Sequence, residues 1–205
     1  QGQLDPSFKE RADEMQAAYL AGTVSPDDIC NFSASSVAGR SPAELLDLRQ
    51  RFHREVIQTR IPADARALLQ RHRDRGDRLV LTTATNRVVS EFTAQSLGVD
   101  HYLCNELECV DGRYTGRITG LLNMRSGKLQ RLQAWLASEG GEKGAVARQL
   151  QQATFYSDSI NDLPLLSAVG CPVAVDPDPR LASTARRKGW AVLLFDRRLA
   201  ARLTG

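Results

Sequence analysis

The 205 residues, 42% hydrophobic and 25% charged, have the composition of an ordinary globular protein with one full core or a core and a small cap, which excludes disordered and fibrous classes. With 27 basic and 24 acidic side chains the net charge is +3, and no Lys/Arg block is interleaved with aromatics, so nucleic acid is not an expected partner and small acidic metabolites are. No apolar run approaches the roughly 20 residues needed to span a bilayer and no signal segment follows Gln1, so a cytoplasmic protein without membrane contact is expected.

The first third reads as helical. Phe8, Ala12, Met15 and Tyr19 recur at helical spacing, and Gly22 is placed to end that helix. Ser25-Pro26-Asp27-Asp28 has the signature of a second helix start, with a hydroxyl cap, a proline in the first turn and acids where the helix dipole favours them. Ser41-Pro42-Ala43-Glu44 repeats it as a capping box ahead of Leu45, Leu48, Phe52 and Val56. The expected organisation is a helical cap over residues 1–61 and an α/β core over 62–205.

After Ile61-Pro62 helices and short apolar strands alternate. A helix from Ala63 to His72 leads into a strand from Arg78 to Thr82, then a helix carrying Val88, Val89, Phe92 and Leu97 that stops at Gly98. A strand follows around His101 to Cys104. Asp111-Gly112, between Glu108-Cys109-Val110 and Arg113-Tyr114-Thr115, predicts a two-residue hairpin turn. Helices over 128–137 and 145–150 precede strands over 153–157, 172–175 and 190–195, with helices over 162–168 and 180–188 between them. This alternation predicts a doubly wound, mostly parallel sheet. Cys30, Cys104, Cys109 and Cys171 lack metal-ligand or disulfide spacing and read as small buried hydrophobes in a reducing compartment. The histidines His53, His72 and His101 and the tryptophans Trp135 and Trp190 read as structural.

Ligands of an open parallel sheet bind beyond the carboxyl ends of its strands, which directs attention to polar residues after apolar strands. Three places qualify. Tyr156-Ser157-Asp158-Ser159-Ile160-Asn161-Asp162 packs two acids, an amide and hydroxyls just before a helix, a donor set suited to a hard cation such as Mg²⁺ or, equally locally, to a capped helix start. Thr82-Thr83-Ala84-Thr85-Asn86 offers hydroxyls and backbone N–H groups for a phosphate, or a helix cap at Thr85 or Asn86. Lys128, after Arg125-Ser126-Gly127 at a helix start, is either a solvated lysine or a phosphate ligand.

In that order and setting, Thr83, Lys128 and Asp158-Ser159-Ile160-Asn161-Asp162 resemble the second, third and fourth motifs of haloacid dehalogenase-type phosphatases. The likeness is closest to the phosphoserine phosphatase-like branch, through Tyr156 to Leu166 and Pro172 to Leu181, although Asp176 stands where that branch has Asn. The resemblance implies a Mg²⁺-dependent phosphomonoester hydrolase acting on a small metabolite, phosphoserine- or histidinol phosphate-like, through an aspartyl-phosphate. It assigns Mg²⁺ to Asp158 and Asp162, the phosphoryl group to Thr83, Ala84, Lys128 and Asn161, and catalytic roles to Lys128, Thr83 and Asp158. The branch's first motif, an apolar strand ending in Asp-x-Asp, has no counterpart here, because Asp5 follows Gln3-Leu4 and precedes Pro6. The expectation is therefore a nucleophile upstream of Gln1 and no activity in the 205 residues alone. The alternative is a phosphate- or metal-binding protein that has lost that strand.

Overall fold

The computed structural model describes residues 7–21, 23–140 and 144–195, so the helix stop expected at Gly22 lies outside the described residues. Helix α1 (Ser7–Ala21) turns inward along the expected face, with Phe8, Ala12 and Met15 half-buried and Tyr19 buried. Helix α2 (Pro26–Ser35) begins with the capping box read from the sequence: Asp28 N–H donates to Ser25 Oγ and Ser25 N–H to the Asp28 carboxylate, each at 3.1 Å. The same reciprocal bonds join Ser41 and Glu44, at 2.6 and 3.2 Å, but they close a turn, and helix α3 starts only at Leu46 (Leu46–Phe52).

A π-helical turn (His53–Ile57) continues α3. Within this wider turn His53 is buried, while Phe52, expected on the apolar face, is 40% exposed. Helix α4 (Ala63–Asp74) leads to strand β1 (Val80–Asn86), helix α5 (Arg87–Leu97) and strand β2 (His101–Val110). The apolar pattern ends β1 at Thr82, but the strand runs on to Asn86, whose side chain accepts from Val89 N–H and caps α5. At the other end of α5, Gly98 takes the left-handed conformation (φ 57°) that closes the helix. Asp111 and Gly112, at φ 49° and 75°, form the hairpin turn to strand β3 (Arg113–Thr119).

Helices α6 (Ser126–Ser138) and α7 (Ala145–Gln152) precede strand β4 (Thr154–Ser157). A 3₁₀ turn (Ile160–Asp162) runs into the single-turn helix α8 (Leu163–Leu166), followed by β5 (Cys171–Val175), α9 (Pro179–Lys188) and β6 (Ala191–Leu193). The strands form two three-stranded sheets. In one, β1 pairs parallel with β2, which pairs antiparallel with β3; in the other, β4, β5 and β6 are all parallel. The fold is thus α/β with largely parallel strands and flanking helices.

Around the second sheet the core is aliphatic. Leu136, Leu150, Leu165 and Val169 form one cluster, with Trp135 packed on it; Leu166, Ala174, Leu181 and Ala185 form another, backed by Trp190. The helical first third lies against β3 and its turn, where Ile118 N–H donates to Asn31 Oδ1 at 2.8 Å and Gly39 N–H to Tyr114 O at 2.8 Å. Arg49 of α3 reaches α5, donating to Val88 O at 2.7 Å, pairing with Glu91 and stacking on Phe92.

The cysteine expectation holds only in part. Cys30 and Cys104 are buried, but Cys109 and Cys171 are exposed, because one lies beside the hairpin turn and the other begins a strand. Burial pushes the Cys104 thiol up to about 11. No helix among the described residues is long and apolar enough to cross a membrane.

Arg87 at the start of α5 donates to both Glu106 oxygens, at 2.7 and 2.5 Å, and these bonds hold the Glu106 carboxyl below its usual range. A carboxyl depressed on folding stabilises fully above its unfolded value and loses that contribution as pH falls through the folded one. Melting temperatures followed from neutral pH into the acid range should therefore fall further for the wild type than for Glu106→Gln; parallel curves would show that the pair adds nothing to acid stability.

Candidate functional site

At one margin of each sheet lies a strand whose outer edge pairs with no other strand among the described residues: β1 in the first sheet, β4 in the second. From β1 the chain winds outward through α5 to β2, and from β4 it winds outward through α8 to β5 and through α9 to β6. The space between β1 and β4 therefore lies where the two windings diverge. It is a cleft of about 1300 Å³. Leu79, Val80 and Leu81 line one side, and Thr154, Tyr156, Ser157 and Asp158 the other, with α4 and α7 contributing further walls. At the α4 side, His72 joins Asp77 through Nδ1 at 2.7 Å and the Tyr156 hydroxyl through Nε2 at 2.7 Å, tying that helix to β4.

At the carboxyl end of β4 two of the sequence-predicted residues, Lys128 and Asp162, form one ion pair. Lys128 Nζ sits 2.7 and 2.8 Å from the two Asp162 oxygens, with Lys128 only 8% and Asp162 6% exposed. Ser157, the last residue of β4, donates to the same carboxylate at 2.7 Å and accepts from Ser159 N–H at 3.1 Å. A buried carboxylate with a cation on both oxygens and a hydroxyl besides is a fully compensated charge, and it fixes the ammonium in place.

Glycine is required just before that lysine. A Cβ on Gly127 would lie 1.9 Å from the Leu122 carbonyl oxygen, so the loop and the first turn of α6 can approach only without a side chain. Arg125, two residues earlier, is held at φ 51° and stacks on the Tyr19 ring at 5.4 Å, joining this turn to α1. Gly127→Ala is expected to cost about 1–3 kcal/mol by overpacking and to displace Lys128. A melting temperature and turnover equal to wild type would remove the constraint.

Asp158 stands apart from the pair. It is exposed at the cleft, and its carboxylate accepts no hydrogen bond among the described residues. Its carbonyl accepts from Asp178 N–H at 2.8 Å. Asp178 in turn accepts from Ile160 N–H at 2.6 Å and from Arg180 and Leu181 N–H at 2.8 and 2.9 Å, so it braces the loop from outside while capping α9. Asn161 is half-buried with its backbone N–H on Ser159 Oγ at 3.3 Å. On the β1 side, Thr83 and Ala84 are half-buried at the strand end, and the Thr83 hydroxyl accepts from Thr85 N–H at 3.1 Å, leaving its own proton to donate.

The ends of β1 and β4 are linked through the segment that leads into α6. Asn123 is bonded to the end of β1, through Thr83 O at 2.9 Å, and the short run from Asn123 to Lys128 carries the chain to the end of β4. Of the sequence-predicted residues Asp158 alone lines the cleft; Lys128 and Asp162 are tied through Ser157 to the end of β4, and Thr83 and Ala84 stand near the end of β1. Sequence reasoning included Ser157 and Asp178 in its motifs without giving either a role of its own, and passed over Asn105 and Asn123. For Asp178 a signal existed, since Asp-Pro at a helix start is a capping pattern; for the buried asparagines there was none.

A Mg²⁺ ion commonly takes one or two protein carboxylates plus substrate phosphate. Asp158 is free to be one such ligand, whereas both Asp162 oxygens are engaged by Lys128 and Ser157. Among the described residues no three His, Cys, Asp or Glu side chains gather as a ready metal site. The donors present fit one corner of a Mg²⁺ site, to be completed by other oxygens.

Residues 4–167 match the haloacid dehalogenase-like hydrolases. The chain is similar to a histidinol-phosphatase of Neisseria meningitidis, 36% identical over 178 residues that cover 86% of this chain and 78% of that protein. It is also similar to phosphoserine phosphatase SerB1 of Mycobacterium tuberculosis, 39% identical over 159 residues, 78% of this chain, and spans about half (49%) of that relative's length. Among solved structures, a protein of unknown function from Bordetella pertussis Tohama I superposes with a TM-score of 0.84 at 36% identity, covering 92% of this chain and 83% of that one.

Proposed function

The chain belongs to the haloacid dehalogenase-like hydrolases, and from that membership we propose that it forms the cap and most of the core of a Mg²⁺-dependent phosphatase for small phosphomonoesters in the cytoplasm. The observation that carries this reading is the buried Lys128–Asp162 pair, joined through Ser157 to the end of β4, beside the Asp158 carboxylate that lines a cleft between two strand edges unpaired among the described residues. In this reading residues 1–61 are the cap and 62–205 the core, and the cleft receives a parallel strand that carries the nucleophilic carboxylate. Sheet strands lie about 4.8 Å apart, so one strand inserted between β1 and β4 would satisfy both free edges and join the two sheets into one.

The family relationship and the names of its relatives support a substrate such as histidinol phosphate or phosphoserine. The phosphoryl group would rest between the Thr83 hydroxyl, the backbone at Ala84, the Asn161 amide and the Lys128 ammonium. Phosphoryl transfer asks mainly for positioning and charge neutralisation. Lys128 supplies a cation already fixed by Asp162, so little reorganisation is needed when phosphate charge arrives. Asp158 would hold Mg²⁺, which when bound neutralises phosphoryl charge, and Asp162 contributes by orienting Lys128. The attacking carboxylate oxygen forms a bond to phosphorus as the ester P–O bond breaks, and the departing alcohol takes a proton from a neighbouring acid. Water then attacks the aspartyl-phosphate, releasing phosphate and restoring the carboxylate.

Asp158→Ala is the direct test of the metal assignment. Because this carboxylate is exposed and accepts no hydrogen bond among the described residues, the variant should keep its melting temperature within about 2 °C, in line with surface substitutions of roughly ±0.5 kcal/mol. Mg²⁺-dependent turnover of a phosphomonoester by the gene product carrying this chain should disappear. Wild-type turnover in the variant would exclude Asp158 from the site.

A further inference from the structure

Two fully buried asparagines lie beneath the end of β1, Asn105 at 1% and Asn123 at 0% exposure. Asn123 Nδ2 donates to Thr83 O at 2.9 Å, to Leu103 O at 2.8 Å and to Thr82 Oγ1 at 3.0 Å. Carbonyl oxygens only accept, so the amide nitrogen has to face them and the side chain has one orientation. Its Oδ1 is buried and accepts no hydrogen bond among the described residues. Asn105 completes the arrangement: its Oδ1 accepts from Asn123 N–H at 2.7 Å, and its Nδ2 donates to Ala84 O at 2.7 Å and lies 3.5 Å from Cys30 Sγ on α2.

These bonds stand where the sheet ladder fails. The register between β1 and β2 shifts between Thr82 and Asn86, so residues 83–85 are outside the regular pairing. Side-chain amides take over there, holding the Thr83 and Ala84 carbonyls. Asn123 also opens the short run that ends at Lys128, so the same two amides set the β1 end and the approach to the lysine in one frame.

We propose that Asn105 and Asn123 are positioning residues for phosphoryl transfer, fixing the Thr83–Ala84 segment relative to Lys128. The inference rests on the phosphatase reading of the site. Neither side chain touches substrate; each acts through the backbone that carries the Thr83 hydroxyl. A purely architectural role would lower the melting temperature and leave the kinetics of the folded fraction alone. A positioning role lowers kcat/KM in fully folded enzyme, since displacement of about 1 Å can cost on the order of 100-fold in rate.

The test uses the gene product that carries this chain, assayed with Mg²⁺ and histidinol phosphate, phosphoserine or p-nitrophenyl phosphate below its melting temperature. Asn123→Ala and Asn105→Ala should each lower kcat/KM by about 30-fold or more. In a Thr83→Ala background, where the hydroxyl is gone and only the Ala84 backbone remains to be positioned, either change should remove clearly less than it does in the wild type, because residues acting through one group are not additive. Should an alanine variant fail to fold, Asn105→Asp keeps the shape and the acceptor for Asn123 N–H but cannot donate to Ala84 O, and it should lose about 10-fold or more. Folded variants with wild-type kcat/KM, or losses that multiply fully with Thr83→Ala, would overturn the positioning role while leaving the phosphatase reading intact. An inactive wild-type product would overturn both.

Discussion

Lys128→Met is expected to abolish measurable turnover, a loss of about 10³-fold or more, and to destabilise the fold by about 3–5 kcal/mol. Both effects come from one contact. Asp162 is buried, and Lys128 supplies the only cation on its two oxygens among the described residues, at 2.7 and 2.8 Å. Methionine fills similar space but leaves the carboxylate buried with Ser157 as its remaining side-chain donor. Removing one member of a buried pair strands the other, whereas removing both charges can be nearly neutral. The double variant Lys128→Met/Asp162→Asn should therefore regain most of the melting temperature and none of the activity. Recovery of turnover together with stability would show that Lys128 acts only as structural support for Asp162.

The second large effect concerns the nucleophile. In the gene product carrying this chain, a strand ending in Asp-x-Asp and lying in the cleft should hold its first acid beside Asp158, Asn161 and Lys128. Changing that acid to Asn is expected to lower kcat by about 10⁴-fold or more, since removal of a covalent nucleophile leaves only binding and charge stabilisation. The fold should survive, because Asn is isosteric and can still hydrogen-bond. Neither acid seen at the site is available to replace it. Asp162 is bound on both oxygens, and Asp158, in the role proposed for it, is committed to the metal. Retained turnover in that variant would place the nucleophile within the residues described above.

Much of this was legible in the sequence because the local signals are short-range. The capping box at Ser25–Asp28, the hairpin at Asp111-Gly112 and the stop at Gly98 each depend on a few neighbouring residues, and each forms as read. The strand-to-helix placement of Asp158, Asn161 and Asp162 also follows from the chain order. Other features depend on contacts distant in sequence. The extension of β1 to Asn86 rests partly on amides from Asn105 and Asn123, 18 residues apart, and no periodicity announces it. The burial of His53 in place of Phe52 falls within a π-helical widening invisible to a 3.6-residue count. Asp162 read as a metal-shell residue because acids near a strand end suit cations; its engagement with Lys128, 34 residues away, appears only when α6 is packed against α8.

The most direct measurement compares Mg²⁺-dependent phosphomonoester hydrolysis by the 205-residue chain with that of the gene product carrying it, at equal concentration and with both shown to be folded. An incomplete cleft predicts no turnover above background for the 205 residues and robust hydrolysis by the gene product. Robust Mg²⁺-dependent turnover by the 205 residues alone would contradict the account, because the nucleophile would then lie within them and the roles given to Asp158, Asp162 and Lys128 could not stand.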